Sequence, residues 1–254
     1  MRIAITRDLS PAFERCELTH MERAAIDLGL ARLQHQAYED CLAELGCHVY
    51  RLPASPDLPD SVFVEDIAVV LDEAAVITRP GAASRRPEVP AVEEALAGYR
   101  GLLCIEPSAT LDGGDVLLLG KQLFVGKSER TNEAGIEQLR SIVGPLGYAV
   151  TGVPVHGCLH LKSAVTRLDD RTLLINKDWV DPVHFADFDL IEVNPSEPYA
   201  ANCLPIGDAI IFPAAFPKTR ARLEARGDRI VSVDVSELAK AEGAVTCCSL
   251  IIRK

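Results

Sequence analysis

The chain is 254 residues long, 48% hydrophobic and 25% charged. These values sit near the globular averages of about 45–50% and 25%, so a disordered chain is excluded, while one domain or two both remain open. The net charge of −11, with no Lys/Arg cluster beyond pairs such as Arg85-Arg86, argues against nucleic acid and anionic membranes as partners, because basic patches supply most of that affinity. No apolar run approaches the roughly 18 residues of a membrane span, and MRIAITRDLS lacks the apolar stretch of a secretory signal. The chain is therefore expected to begin at Met1 and to stay in the cytoplasm. A small cationic or zwitterionic ligand suits its charge.

In chain order, Arg2–Thr6 (RIAIT) reads as a strand. Leu30, Leu33, Ala37, Cys41 and Leu45 recur at helical spacing up to Gly46, followed by a β-rich CHVYRLP. Val62–Leu71 and Ala74–Thr78 form a hairpin pattern around Asp72-Glu73; helical Val92, Leu96 and Tyr99 and the strand LLCIE come next. The pattern repeats as Asp115–Leu119 and Gln122–Gly126 around Gly120-Lys121, a helix through Ile136, Leu139 and Val143, and YAVTGVPV. It returns as Leu161–Leu168 and Thr172–Asn176 around Asp169-Asp170. Here the spacer DPVHFADF before DLIEV is short and leaves its helix unassigned. Cys203–Ile206 and Ala209–Pro213 turn at Gly207-Asp208 and lead into KTRARLEARGD and RIVSVDV. Cys248–Ile252 then runs to the end without a partner strand, and the missing partner is Arg2–Thr6.

The turns recur at separations of about 48, 49 and 38 residues, with about 47 more to the C-terminus. A repeat of this kind predicts an α/β fold: a five-bladed propeller of ββαβ units around a pseudo-five-fold axis. One catalytic domain is expected over residues 1–254, closed by the N-terminal strand pairing with the C-terminal one. The first unit is longer by roughly 25 residues. That excess lies near Asp8–Gly29, contains Leu18, and is expected to act as a mobile lid over the axis.

Closure predicts where chemistry gathers. Counting back about five to nine residues from each turn gives Glu65-Asp66, Asp112-Gly113-Gly114-Asp115, His160, Asn202 and Cys247, stations at the same end of the same strand in every unit. Taken singly, a cysteine is usually a core thiol and an acidic pair usually faces solvent; five coincidences at one radius weaken that reading. Thiol, imidazole and carboxylate together are the kit of nucleophilic catalysis. A thiol of pKa about 8.5 needs His160 or a cationic substrate to favour the thiolate. The extra carboxylates Glu65 and Asp66 suggest that the substrate carries the charge, as a planar guanidinium would. Adjacent strand residues face opposite ways, so Glu65 and Asp66 both reach one ligand only if the strand bulges or ends there. By the same alternation one of Cys247 and Cys248 faces the axis; position favours Cys247 and leaves Cys248 as a buried thiol. The eight cysteines show no CxxC pair and no metal-type spacing, so reduced thiols and no structural zinc are expected.

DSVFVEDIAVV (60–70), ITRPGAASRRPEV (77–89), LDGGDVLLLG (111–120), VGKSERTNEAG (125–135), LHLKSA (159–164), YAANC (199–203) and TCCSLII (246–252) closely resemble the dimethylarginine dimethylaminohydrolase family, in order and over nearly the whole chain. The resemblance implies the pentein fold, which agrees with the ring, and hydrolysis of Nω-methylated arginines to citrulline and methylamines with no cofactor. It implies Cys247 as nucleophile, His160 as general acid/base and Asp112 as the carboxylate partner of His160, in a place where some members carry Glu. Glu65 and Asp66 would hold the guanidinium. Asp60, Arg85 and Arg130 would read the amino-acid end, the arginines taking the carboxylate, with Leu18 and the backbone carbonyl of Ala241 completing the pocket. Gly113 and Gly114 are read as permitting close backbone approach. Three alternatives stay open: an arginine deiminase-like or amidinotransferase-like enzyme, a non-enzymatic binding protein on the same ring, and inhibitory zinc at Cys247 and His160. Whether the chain is a monomer or a homodimer is also open.

Overall fold

The computed structural model describes residues 1–253. It contains five sheets of three strands each. In chain order the strands are β1 (Arg2–Arg7), β2 (Cys47–Leu52), β3 (Ala68–Val70), β4 (Ala74–Ile77), β5 (Gly101–Cys104), β6 (Val116–Leu119), β7 (Gln122–Lys127), β8 (Ala149–Pro154), β9 (Val165–Arg167), β10 (Thr172–Ile175), β11 (Asp189–Glu192), β12 (Leu204–Ile206), β13 (Ala209–Pro213), β14 (Arg229–Val233) and β15 (Leu250–Arg253). Every sheet is built alike: an inner strand pairs antiparallel with a middle strand, which pairs parallel with an outer one. The ring closes where β1 lies between β15 and β2, in register from Arg2 opposite Arg253 to Ile5 opposite Leu250. Inner strands of neighbouring sheets touch, β15 against β3 and β9 against both β6 and β12. This is the five-bladed propeller.

The middle strands read as near-continuous apolar runs (AAVI, TLLI, AIIFP) because both of their faces are covered, and each of these three is buried along its whole length. Outer strands such as β5 and β11 are largely exposed. No helix among the described residues is long and apolar enough to cross a membrane.

The structure departs from the sequence reading in two places and completes it in a third. The inner strands start later than the apolar runs suggest: Val62–Leu71 yields only Ala68–Val70, and Leu161–Leu168 only Val165–Arg167. What precedes each is a helical turn, at Val64–Ile67, Gly113–Asp115, Leu161–Ala164 and Pro198–Ala201. Side chains on such a turn are about 100–120° apart rather than alternating, so neighbours can serve one region. Second, the long helix α1 (Leu28–Glu44), capped by Asp27, exposes Leu30 and Leu33. With the expected Cys41 it buries Ala31, Gln34, His35, Tyr38, Glu39 and Leu42. Tyr38 and Gln34 are paired there, Tyr38 Oη with Ser249 Oγ at 2.7 Å and Gln34 Nε2 to Ser236 Oγ at 2.8 Å, while His35 Nε2 is left without a hydrogen-bond partner. Third, the short fourth spacer makes a single 3-10 turn, Pro182–Phe185. Asp181 caps it, and Phe185 packs 4.9 Å from the Phe124 ring.

Candidate active site

Four of the five stations lie on or at the ends of the helical turns just before the inner strands, with Asp112 and His160 at the N-cap positions and Asn202 at a C-cap. On Val64–Ile67, Glu65 donates its N–H to the Cys247 carbonyl at 3.1 Å, joining two blades at the axis. Asp112 is wholly buried; its Oδ1 accepts the Gly81 N–H at 2.8 Å and its own N–H goes to Thr131 Oγ1 at 3.1 Å. Its Oδ2 lies 3.1 Å from His160 Nε2, while His160 Nδ1 lies 3.7 Å from Asp66 Oδ1. Gly114 makes that approach possible, because a Cβ there would stand 2.6 Å from both His160 Nδ1 and Asp66 Oδ1. At Gly113 a Cβ would stand 2.0 Å from the Glu65 carbonyl oxygen, so close backbone packing is what this glycine provides.

The electrostatics follow from that crowding. Burial works against a charged imidazole at His160, but the Asp66, Asp115 and Asp112 carboxylates outweigh it and raise its pKa to about 9. Burial likewise disfavours ionised Asp66; His160, Arg85 and the Gly114 N–H overcome this and hold it at about 2. The Cys247 thiol is pushed up to about 12, by burial first and then by Glu65 and Asp66, against a backbone hydrogen bond from Ala244 and the charge of Lys162. In the free protein the thiol is therefore protonated at neutral pH.

Asp60, Asp66, Arg85, Arg130, His160, Ala241 and Cys247 line one cavity, together with Glu17, Phe63, Leu159, Glu242 and Gly243. Three of the residues expected in the site stand outside its wall. Asp112 is one layer behind His160. Leu18 is half-buried and packs on the apolar cluster containing Phe13 and Phe63. Glu65 opens on the other end of the axis, in a cavity of about 310 Å³; its carboxylate pairs with Lys162 Nζ and accepts Thr246 Oγ1 at 2.7 Å. Arg85 is engaged on all sides, with Asp66, Glu88 and the Phe63 carbonyl. Arg130 donates one N–H to Thr19 Oγ1 at 2.9 Å. Cys248 is a buried core thiol, and all eight cysteines are free.

The family model for eukaryotic N,N-dimethylarginine dimethylhydrolases matches residues 18–254. The chain belongs to the dimethylarginine dimethylaminohydrolase family. It is 44% identical to the N(G),N(G)-dimethylarginine dimethylaminohydrolase of Streptomyces coelicolor, over 99% of this chain and 97% of that one. The Pseudomonas aeruginosa enzyme, solved as a cysteine-to-serine variant with citrulline, superposes with a TM-score of 0.93 at 34% identity, over 98% of both chains. A histidine-to-glycine dimethylarginine dimethylaminohydrolase solved as an adduct with S-methyl-L-thiocitrulline gives 0.94 at 34%, over 99% of this chain and 100% of that one.

In this chain the cavity lined by Cys247 and His160 is small, about 20 Å³, room for about one water. Glu17 lines this cavity and begins the segment 17–20. That segment is fastened by the pocket itself: the Glu17 N–H lies on the Asp60 carboxylate at 3.1–3.2 Å, and the Thr19 and His20 N–H groups donate to Glu242 at 2.8 and 2.6 Å. Glu242 also holds φ +58, the one positive-φ non-glycine among the described residues. Neither Glu17 nor Glu242 has a sequence pattern that marks it, since Glu17 acts through its own N–H on Asp60 and Glu242 through backbone groups far away in the chain. Glu242→Gly suits this φ and removes only the clasp. Amide exchange at Thr19 and His20 is expected to quicken at least about tenfold, the worth of one charge-assisted hydrogen bond, and unchanged protection would show that the clasp does not hold the segment.

Oxygen and nitrogen donors of Asp66, Asp112 and His160 lie within 4.8 Å of one another, a grouping that could hold a cation. Each is already engaged, Asp66 with Gly114 and Arg85, Asp112 with Gly81 and His160. These bonds suit a place where a proton is held. Beside the cavity lies a larger apolar one of about 280 Å³, which shares Leu159, Glu242 and Gly243 with it.

Proposed function

We propose that the protein hydrolyses Nω-methylated arginines to citrulline and methylamine or dimethylamine, as a small-molecule hydrolase of the cytoplasm. The observation that carries this reading is one buried cavity lined by a thiol, an imidazole flanked by carboxylates, and charged groups of both signs suited to a zwitterionic amino acid. Asp66 meets the guanidinium, with the charge of Glu65 behind Cys247. Asp60 and the carbonyl of Ala241 receive the α-ammonium and Arg130 takes the carboxylate, while Leu18 packs on the apolar cluster of Phe63 and Arg85, held by Asp66 and Glu88, fixes Asp66 in place.

The high thiol pKa decides how the nucleophile forms. The same carboxylates that keep Cys247 protonated attract a guanidinium, and a cation placed against the sulfur favours thiolate, so the nucleophile is generated when substrate arrives and its proton leaves to solvent. The thiolate attacks the guanidinium carbon. His160, charged at neutral pH, gives its proton to the methylated nitrogen, the C–N bond breaks, and a thiouronium remains on Cys247. Neutral His160 takes a proton from water, which attacks the same carbon; the C–S bond breaks, the remaining hydroxyl proton passes to the departing sulfur, and citrulline leaves with Cys247 back as the thiol. Asp112 orients His160 throughout. Water is the only co-reactant and no cofactor takes part.

The test is citrulline release from asymmetric dimethylarginine beside arginine. Citrulline from the methylated substrate with little from arginine is expected; release from arginine alone would move the protein to the deiminase reading, and release from neither would end the hydrolase reading.

A further inference from the structure

We propose that Asp115 is a positioning residue for this reaction, one buried carboxylate that holds the segment of His160, the backbone of Asp112 and the loop of Arg130 in a single register. The inference rests on the hydrolase reading above, and it concerns a residue outside the cavity. Asp115 is completely buried, on the turn that follows Asp112. Its Oδ1 accepts the N–H of Leu161 at 2.9 Å, the first peptide after His160. Its Oδ2 accepts two hydroxyls, Ser128 Oγ at 2.6 Å and Thr131 Oγ1 at 2.7 Å.

Those hydroxyls carry the order outward. A hydroxyl that donates to a carboxylate keeps its lone pairs for other donors. Ser128 Oγ accepts the N–H groups of Arg130 at 3.0 Å and Thr131 at 3.2 Å. Thr131 Oγ1 accepts the Asp112 N–H at 3.1 Å, and Asp112 Oδ2 is the atom that meets His160 Nε2. Both members of the Asp112–His160 pair, and the loop bearing the carboxylate-reading Arg130, therefore hang from one acceptor. A carboxylate accepts on both sides and an amide does not, because an Asn Nδ2 would oppose either the Leu161 N–H or the two hydroxyl donors. The fold also makes room for it: a Cβ on Gly126 would stand 2.5 Å from Asp115 Oδ1.

The charge matters as well as the bonds. Three carboxylates face His160, from Asp66 on one turn and from Asp112 and Asp115 on the next blade, and each raises its pKa. Burial lifts Asp115 itself to about 6, so above that pH it is ionised and supports the imidazolium.

The experiment measures kcat, KM and the pH profile of citrulline release for the wild type and for Asp115→Asn, Thr131→Val and Ser128→Ala. Asp115→Asn is expected to lose about 100-fold in kcat, as a small misplacement of reacting groups does, and its basic limb should move about one pH unit lower. A merely structural role would not move that limb. Thr131→Val should lose about tenfold in kcat with KM within about twofold, and Ser128→Ala should raise KM about tenfold with kcat little changed. A wild type that releases no citrulline removes the hydrolase reading and this inference with it. With an active wild type, a folded Asp115→Asn variant of unaltered kcat, KM and pH profile overturns the inference alone. If Asp115→Asn does not fold, unaltered kinetics in both hydroxyl variants overturn it.

Discussion

Replacing Cys247 by serine is expected to lower kcat by at least about 10⁴-fold while leaving the free energy of urea unfolding within about 0.5 kcal/mol of wild type. The kinetic half follows from the thiol's surroundings. Burial, Glu65 and Asp66 hold its pKa at about 12, and only a cationic substrate against the sulfur brings the thiolate within reach. A serine hydroxyl starts several units higher and is a poorer nucleophile, so the same substrate charge cannot ionise it to a useful extent. The stability half follows from geometry. The bonds that fix this turn come from backbone and neighbours, not from sulfur: Glu65 N–H to the Cys247 carbonyl, Cys247 N–H to the Ala244 carbonyl, and Thr246 held by Asn202 on both its N–H and its hydroxyl. Intact-mass spectra should show a substrate-derived adduct on the wild type and none on the variant. A Cys247→Ser protein of near-normal turnover would remove the thiol from the mechanism. The parallel Cys248→Ser change alters a thiol sealed in the apolar core and should be read in stability rather than rate.

Much of this was legible in the sequence for a definite physical reason. Middle strands covered on both faces must be apolar throughout, and tight turns need Gly, Asp or Asn, so the hairpins of the ring announce themselves at regular separation. Closure by RIAIT was legible because an unpaired last strand and a lone first strand need each other. The helical turns ahead of the inner strands were not. Three or four residues carry no periodicity, and their conformation is set by contacts between blades, such as the Gly113 backbone against the Glu65 carbonyl. Only their consequence was foreseen, a break at Glu65-Asp66. The buried face of α1 was misplaced because it is half polar, and its Gln34 and Glu39 are paired by residues that fold onto it from elsewhere. In the site, side chains on repeated stations could be named from spacing. The clasp at Glu242 could not, and Asp115 could be named as part of a station but not as a hub, because what they grip is backbone and hydroxyl groups brought near by the fold. The outward turn of Glu65 toward Lys162 and Thr246 was hidden likewise: composition shows a carboxylate beside Asp66, and only the helical turn decides which way each one faces.

His160→Ala should cost about 10³–10⁴-fold in kcat, and its larger value lies in two pH dependences that it ought to change together. In the wild type, the folded pKa of about 9 lies above the ordinary 6.5. Turnover needs the imidazolium to protonate the leaving amine, so the basic limb of activity should fall as pH rises through about 9. The same shift is a stability statement. A group whose pKa is raised by folding contributes stability that is fully present below about 6.5 and is lost as pH climbs through about 9. Urea midpoints of the wild type should therefore decline across that window, and those of His160→Ala should be flatter. At the acid end the sign reverses. Asp66 is held at about 2, with His160 the first of the groups that lower it, so its contribution is present above the ordinary carboxylate pKa and is lost as pH falls toward 2. Removing the imidazolium takes away that support, and acid unfolding of His160→Ala should begin at higher pH than in the wild type. Urea midpoints that run parallel for the two proteins from pH 6 to 10 would mean that the imidazole is not held charged between Asp66 and Asp112, and the proton it is assigned in the reaction would have to come from elsewhere.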